Sequence, residues 1–481
     1  MKATSVFGGV QVFQIIISII RSKFVAILLG PFGMGISSLL TSTTGFIQAL
    51  TSFGLSTSAV RDVAAAHASG NQKNISITVT VLRRMVWITG LLGAIVTLVL
   101  SPLLSQISFG NKDYTLSFAL LSVTLLFNQI SSGQSVLLRG TRRIKDLAKA
   151  GLIGSILGLI TTIPLYYLLG INGIVPGLIV TALVSLLLSW CFSRRITIEK
   201  IKVSKLRTIA EGKGMMKLGF MISLSSLISI ASSYVVRIFI SKTGGIDNVG
   251  LYNAGFAIIN TYVGMIFTAM STDYYPRLSA VANSNKQSRD LINQQAEVAL
   301  LIIAPIVLSC LVFINWIVTL LYSSEFLIIN NMILYAAIGM LFKAASWSIG
   351  FIFLAKGASK LFFWNELISN IYLLLLNLLG YKLYGLTGIG ISFMIGYILH
   401  LIQMFLVANK SYEFNFGSSF NKIFIVQLFL AVICLIIVKT TVSPYSYIFG
   451  SILIAISLWV SYEGLDKRVG ITELFKHLKM R

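Results

Sequence analysis

Long apolar segments recur along almost the whole chain and are separated by short polar stretches. A helix rises 1.5 Å per residue, so about 20 apolar residues cross the hydrocarbon core of a bilayer. The pattern predicts about fourteen such helices, which cover approximately residues 5–29, 36–60, 85–108, 115–138, 150–170, 173–193, 218–241, 250–275, 293–322, 331–355, 361–381, 386–409, 421–440 and 445–462. The chain is therefore predicted to be an all-α polytopic membrane protein.

Composition agrees with this prediction. Apolar residues make up 56% of the 481 residues and charged residues only 11%, and the mean hydropathy is +0.87. A soluble domain carries nearer 25% charged residues, about twice this share.

The formal net charge is +23, and the basic residues that produce it are concentrated in particular predicted loops. With a cytoplasmic N-terminus, most lysines and arginines fall in the inner loops and at the two termini, and the longest inner loop spans residues 194–217. The outer loops keep only Lys112, Lys242, Lys382 and Lys439. This is the positive-inside bias, so both termini are predicted to be cytoplasmic and nucleic acid is not needed to explain the charge.

Two of the predicted helices carry a polar stripe that ends in an arginine. At helical spacing these stripes contain Gln11, Gln14, Ser18 and Arg21 on the first helix and Ser226, Ser229, Ser233 and Arg237 on the seventh. A glycine-bearing turn follows each arginine, LLGPFGMG (28–35) and TGGIDNVG (243–250). Because the pattern repeats after six helices, we predict two six-helix lobes at residues 1–205 and 206–410, followed by a helix pair and a basic tail at 411–481.

The arginines are the strongest functional signal in these stripes. Serines alone would also suit close helix packing, but a charge at membrane depth costs several kcal/mol unless it faces water or a partner. Arg21 and Arg237, and with them Lys23 and Lys343, are therefore predicted to face a water-filled central cavity. Snorkelling to the outer interface is the alternative for Lys23.

The acidic residues are distributed unequally between the two predicted lobes. In the first lobe they all fall in loops, whereas the second embeds Asp273, Glu297 and Glu366 in helices. A cavity with cations and few acids should attract an anion. The three embedded carboxylates are candidates for coupling to H⁺ or Na⁺, and pairing with a basic group such as Lys343 is the alternative.

Sequence motifs of an enzyme are not found. The three cysteines lie in three different apolar segments, and the three histidines are scattered, so no metal-ligand spacing occurs. A glycine-rich phosphate loop and a nucleophile–histidine pair are likewise missing from the sequence. We therefore predict neither a catalytic site nor a cofactor.

Three short motifs carry a resemblance to a known family. The turn LLGPFGMG after the first arginine, VGLYNAG (249–255) and YYPRLSAV (274–281) resemble the polysaccharide flippases of the multidrug/oligosaccharidyl-lipid/polysaccharide exporter superfamily. The resemblance implies two lobes in a V shape and alternating access. It also implies that an undecaprenyl-pyrophosphate-linked oligosaccharide is flipped to the outer leaflet of a bacterial inner membrane, as in Wzx-type O-antigen or capsule export, with polysaccharide polymerase machinery as a partner.

The predicted chemistry suits such a substrate. Pyrophosphate carries about two negative charges, which arginine contacts in bidentate fashion and lysine neutralises. Amide side chains suit the hydroxyl groups of a glycan. The predicted substrate-binding residues are Arg21, Lys23, Arg237, Lys343, Gln11, Gln14, Gln48 and Asn260.

Three alternative functions stay open. Fourteen helices rather than twelve also resemble the lipid II flippases of peptidoglycan synthesis. A cation-coupled multidrug antiporter is less favoured, because the first lobe embeds no acid. A membrane-bound glycan ligase or polymerase is less favoured, because the outer loops are short.

Overall fold

The computed structural model describes residues 2–199 and 201–469, with the side chains of residues 2–12, 15, 261, 262, 272 and 469 outside the description. These residues are helical almost throughout, and no strand occurs among them. Since hydrocarbon offers backbone groups no hydrogen-bonding partner, helices that satisfy their own backbone are the expected solution.

The chain divides into two compact units. Unit 1 comprises Met1–Gly250 and Leu321–Ser323, and unit 2 comprises Leu251–Leu320 and Ser324–Arg481. The helices of unit 1 are α1 (Lys2–Thr51), α2 (Leu55–Ala68), α3 (Gln72–Val99), α4 (Ser101–Phe109), α5 (Thr115–Gly140), α6 (Ile144–Leu169), α7 (Ile174–Ser193) and α8 (Lys205–Gly244). Helix α9 (Ile246–Phe256) begins in unit 1, and α12 (Ile314–Leu321) lies in unit 2 except for its last residue. The other helices of unit 2 are α10 (Met265–Ala280), α11 (Asn285–Val312), α13 (Asn330–Ala355), α14 (Ser359–Tyr412), α15 (Ser418–Thr440) and α16 (Tyr445–Val469).

Eleven segments of the described chain are long and apolar enough to cross a membrane. Three of them contain a break that divides them into two spans: α1, the α6–α7 segment and α14. Counting the halves separately brings the eleven segments to fourteen spans, in agreement with the prediction. The all-α polytopic membrane fold is confirmed.

Glycines make two of these breaks. Gly30 adopts φ 61° and ψ −171° within α1, and Pro31 follows it. Gly385 adopts φ 57° and ψ −139° within α14. Left-handed φ values are strained for residues that carry a Cβ, so glycine allows the helix to change direction sharply at these two positions.

The two halves of α14 fold back on one another as an antiparallel hairpin. Ser392 Oγ donates to the carbonyl of Leu376 at 2.6 Å. Near the open end, Gln403 Nε2 donates to the side-chain oxygen of Asn365 at 2.9 Å. The backbones approach closely near the turn, where a Cβ added to Gly388 would lie 1.8 Å from the carbonyl oxygen of Gly380. Small residues permit this contact, as is common between membrane helices.

Helix α8 packs within unit 1, against α1, α2 and α4. A Cβ on Gly54 would lie 2.2 Å from the carbonyl oxygen of Gly219 on α8. Helix α3 also contacts the start of α8 and the residues before it. Arg84 Nη1 of α3 donates to the carbonyl of Val203 at 2.9 Å and to Thr208 Oγ1 at 2.6 Å. The compact units thus divide at residues 250 and 251, later than the predicted lobe boundary at 205 and 206. The six-helix duplication stays a prediction.

Helices α15 and α16 pack on α11 inside unit 2. Between the two helices, the buried amide of Gln427 accepts from Ser457 Oγ at 2.6 Å and donates to Ser461 Oγ at 3.2 Å. At the end of α16, Arg468 Nε donates to Glu297 of α11 at 2.5 Å, and the two side chains are only 17% and 10% exposed. Arg468 also donates to Ser419 Oγ at 2.7 Å, so one guanidinium ties three helices together.

We predict that Gly388→Ala lowers the free energy of unfolding by about 1–3 kcal/mol, because the added methyl group forces the halves of α14 apart. Thermal unfolding of the purified protein in detergent measures this. Gly350→Ala is the matched control, since a Cβ there meets nothing within 4 Å. Equal unfolding temperatures for the two variants would contradict the close packing of the hairpin.

We also predict that Arg468→Ala lowers the free energy of unfolding by about 3–5 kcal/mol, because it leaves the Glu297 carboxylate buried without its cation. The control is Lys467→Ala, which removes an exposed pair with Glu463 worth about 0–1 kcal/mol. Adding Glu297→Gln to Arg468→Ala should recover part of the loss. The role of the ion pair is refuted if the double variant is no more stable than Arg468→Ala.

Candidate functional site

Two glycines of the sequence motifs, Gly35 and Gly250, are sites of close backbone packing in unit 1. A Cβ on Gly35, in LLGPFGMG, would lie 2.0 Å from the carbonyl oxygen of Ile246. A Cβ on Gly250, the first glycine of VGLYNAG, would lie 1.9 Å from the carbonyl oxygen of Pro31. The start of α9 therefore rests directly on the break in α1. This contact brings together two motifs that the sequence separates by more than 200 residues.

Arg237 is held in place by serines of α1 and α8. Its Nε donates to Ser38 Oγ at 3.2 Å, and its Nη1 donates to the carbonyl of Ser233 at 3.1 Å and to the Ser233 hydroxyl. Ser38 is buried, at 5% exposure, and lies just beyond the break in α1. Within the polar stripe of α8, Ser233 therefore orients the guanidinium together with Ser38 of α1.

The remaining predicted residues of unit 1 lie on α1. Arg21 and Lys23 are half-buried and precede the break at Gly30. Gln14 is half-buried against α6, and Gln48 is half-buried in the second half of α1. The side chain of Gln11 lies outside the described residues. Arg21, Lys23 and Arg237 thus belong to one compact unit, although their common role in binding stays a prediction.

Lys343 of unit 2 has a polar and aromatic environment. Its Nζ donates to Asn260 Oδ1 at 3.1 Å, which unites two of the predicted residues. The ammonium also lies 5.1 Å from the ring centroid of Tyr397, 5.7 Å from that of Phe393 and 5.9 Å from that of Phe267. Asn260 is exposed and belongs to a π-helical turn at Ala257–Val263, a feature frequently found at functional sites.

The three acidic candidates have different surroundings. Asp273 is 75% exposed and pairs with Arg277 at 3.2 Å on the same helix. Glu297 forms the ion pair with Arg468, so its charge is already compensated. Glu366 is half-buried on α14 and forms no ion pair with another described residue. Glu366 thus stays the candidate for ion coupling, and the structure favours pairing for the other two.

Two features escaped the prediction from sequence. Arg468 belongs to a segment predicted as a cytoplasmic tail, where nothing in the sequence indicates a buried partner on α11. The rings around Lys343 were also missed, although Lys343, Trp347 and Phe351 follow one another at steps of four and therefore share a face of α13.

Comparison with known proteins agrees with the resemblance. The family described as "Polysaccharide biosynthesis protein" matches residues 24–331. A "Putative O-antigen transporter" of Shigella flexneri is 26% identical over 400 residues, covering 81% of this chain and 93% of the relative. A "Lipid III flippase" of Escherichia coli (strain K12) is 21% identical over 382 residues, covering 79% of this chain and 90% of the relative.

Solved structures share the fold. The lipid II flippase MurJ in an inward closed conformation superposes with a TM-score of 0.76 at 14% identity, covering 96% of this chain and 98% of that one. An inward-facing multidrug resistance MATE family transporter of the MOP superfamily superposes with a TM-score of 0.70 at 15% identity, covering 85% and 96%. The match to the family described as "Polysaccharide biosynthesis protein", over residues 24–331, spans more than half of the chain. This chain therefore belongs to that family.

Proposed function

We propose that this multi-pass membrane protein is a transporter, not an enzyme, and that it flips a lipid-linked oligosaccharide from the cytoplasmic to the outer leaflet by alternating access. The substrate we propose is a polyprenyl-pyrophosphate-linked repeat unit of an O-antigen, a capsule or a similar polysaccharide. The observation that carries the proposal is Arg237, a charged side chain on a membrane-spanning helix that serines of two helices hold in position. The match to a putative O-antigen transporter over 93% of that relative's length supports this choice of substrate.

The held guanidinium has a physical advantage for this task. An arginine whose rotamer is already fixed loses little conformational entropy when it binds a phosphate group. Its planar fork of donors matches two phosphate oxygens at once, which a lysine ammonium does not. Charge-assisted hydrogen bonds of this kind contribute about 1.5–3 kcal/mol each.

The alternatives rank below this proposal. A lipid II-type precursor has the same pyrophosphate chemistry, and the likeness to the lipid II flippase supports the fold but not the choice of glycan. A cation-coupled multidrug antiporter shares the fold as well. It fits less well, because two of the three acidic candidates, Asp273 and Glu297, are already paired with arginines.

We further propose the cellular setting and the coupling. The protein acts in the bacterial inner membrane with both termini cytoplasmic, since the positive-inside bias favours this orientation. It works beside the polysaccharide polymerase machinery that consumes its product. Coupling to the membrane potential is the main proposal, and coupling to H⁺ or Na⁺ through Glu366 is secondary.

Replacing Arg237 or Arg21 with alanine should slow transport about 10- to 100-fold, since each loses a charge-assisted contact to the phosphates. The assay measures flipping of a fluorescent undecaprenyl-pyrophosphate trisaccharide in vesicles that contain the full-length protein. Arg→Lys variants should recover transport only in part. Arg207→Ala, at the exposed start of the same helix α8, is the matched control and should transport normally. Normal transport by both Arg237→Ala and Arg21→Ala would exclude the proposed anion site.

Transport should also depend on the membrane potential. Moving one negative charge outward across an inside-negative membrane is favourable by about 2.3 kcal/mol per 100 mV. The same field draws the positively charged empty carrier back, so it resets the cycle. We expect the flipping rate to fall when the potential across the same vesicles is clamped at zero and to fall further when it is reversed. A rate that does not respond would rule out this coupling while leaving the flippase function intact.

A further inference from the structure

A continuous series of aromatic contacts runs through unit 2 from Lys343. The ring of Trp347 on α13 lies 5.2 Å from that of Phe267 on α10 and 5.2 Å from that of Phe351, measured between centroids. The series continues from Phe351 to Tyr275 at 5.9 Å. These rings, together with Tyr397 beside the Lys343 ammonium, are called the aromatic track.

Part of the aromatic track is accessible. Trp347, Phe351 and Tyr397 are half-buried, and Tyr275 is 41% exposed. Beneath them lies Tyr274, which is 1% exposed and whose hydroxyl donates to the carbonyl of Ser348 at 2.6 Å. Its ring lies 5.7 Å from that of Trp347 and 5.4 Å from that of Phe351, so the accessible rings pack on a buried, hydrogen-bonded tyrosine. From Lys343 to Phe351 the helix rises about 12 Å, which is long enough for more than one sugar ring.

The end of the track at Lys343 is polar. The ammonium donates to Asn260, and three aromatic rings lie around it. The negative faces of the rings already offset part of its charge. Such an ammonium is a weaker site for a doubly charged pyrophosphate than the arginine in unit 1, but it still donates well to hydroxyl groups.

This combination matches the chemistry of a sugar ring. A pyranose has faces of C–H groups, which pack on the electron-rich faces of aromatic rings, and an edge of hydroxyl groups. Apolar and aromatic walls with a few placed polar groups are typical of small-molecule sites. A polyprenyl tail would gain nothing from an ammonium and an exposed amide at the end of its path.

We propose that the aromatic track is the glycan subsite, and that Lys343 and Asn260 bind sugar hydroxyls instead of the pyrophosphate. This inference rests on the proposed function and revises the role predicted for Lys343. It assigns the sugar rings of the substrate to residues of α10, α13 and α14, all of which lie in unit 2. The subsite makes recognition of the glycan separable from recognition of its lipid carrier.

The test compares two probes on the purified full-length protein: undecaprenyl pyrophosphate alone and undecaprenyl pyrophosphate carrying a trisaccharide. Trp347→Ala and Lys343→Met should weaken binding of the glycosylated probe about tenfold and leave binding of the bare probe unchanged. Trp347→Phe, which keeps a ring, should retain most of the affinity. The matched control is Trp364→Ala on α14, whose side chain is 57% exposed outside the track.

The outcomes are distinct. Equal losses of affinity for both probes would mean that Lys343 contacts the pyrophosphate. Unchanged affinity for both probes would mean that the rings only pack the core. Either result overturns the inference. A wild-type protein that binds neither probe overturns the proposed function itself. Lys343→Met removes no ring, so it keeps the test valid if Trp347→Ala unfolds.

Discussion

Backbone polar groups cannot be left unsatisfied in hydrocarbon, and this constraint governs the whole structure. It restricts the described chain to helices and confines irregular backbone to a few points. Gly30 and Gly385 supply two such points, because glycine adopts the left-handed φ values found there without strain. The reversal of α14 in turn requires the close approach of Gly380 and Gly388. Within unit 1, the break in α1 supports the start of α9 through the same kind of glycine contact.

Charges within the membrane-spanning helices follow the same rule of local compensation, in three different ways. Serine oxygens hold Arg237, a carboxylate neutralises Arg468, and an amide with aromatic rings surrounds Lys343. These solutions differ in what they leave for a ligand. The Glu297 carboxylate neutralises Arg468, and the ion pair links α16 to α11. The serines around Arg237 and the amide of Asn260 beside Lys343 orient each cation through groups that carry no formal charge.

The three acidic residues that the sequence places on helices of unit 2 differ in the same respect. Glu297 satisfies the expectation for an embedded acid, yet its partner makes it part of the attachment of α16 to α11. Asp273 is exposed and paired along its own helix. Glu366 differs from both, because it is half-buried on the hairpin that also carries Tyr397.

The sequence by itself determined the fold class, the number of spans and the presence of charged side chains on them. Apolar length and the spacing of stripes are local properties, so the stripe with Arg237 and the turns around Gly30 are readable without coordinates. Only the tertiary structure decided partners, because contacts between residues distant in sequence depend on how helices pack. That is why the pairing of Arg468 with Glu297, the packing of α8 in unit 1 and the rings around Lys343 emerged only from the structure. Helical packing in lipid depends on small residues and shape, which a hydropathy pattern does not record.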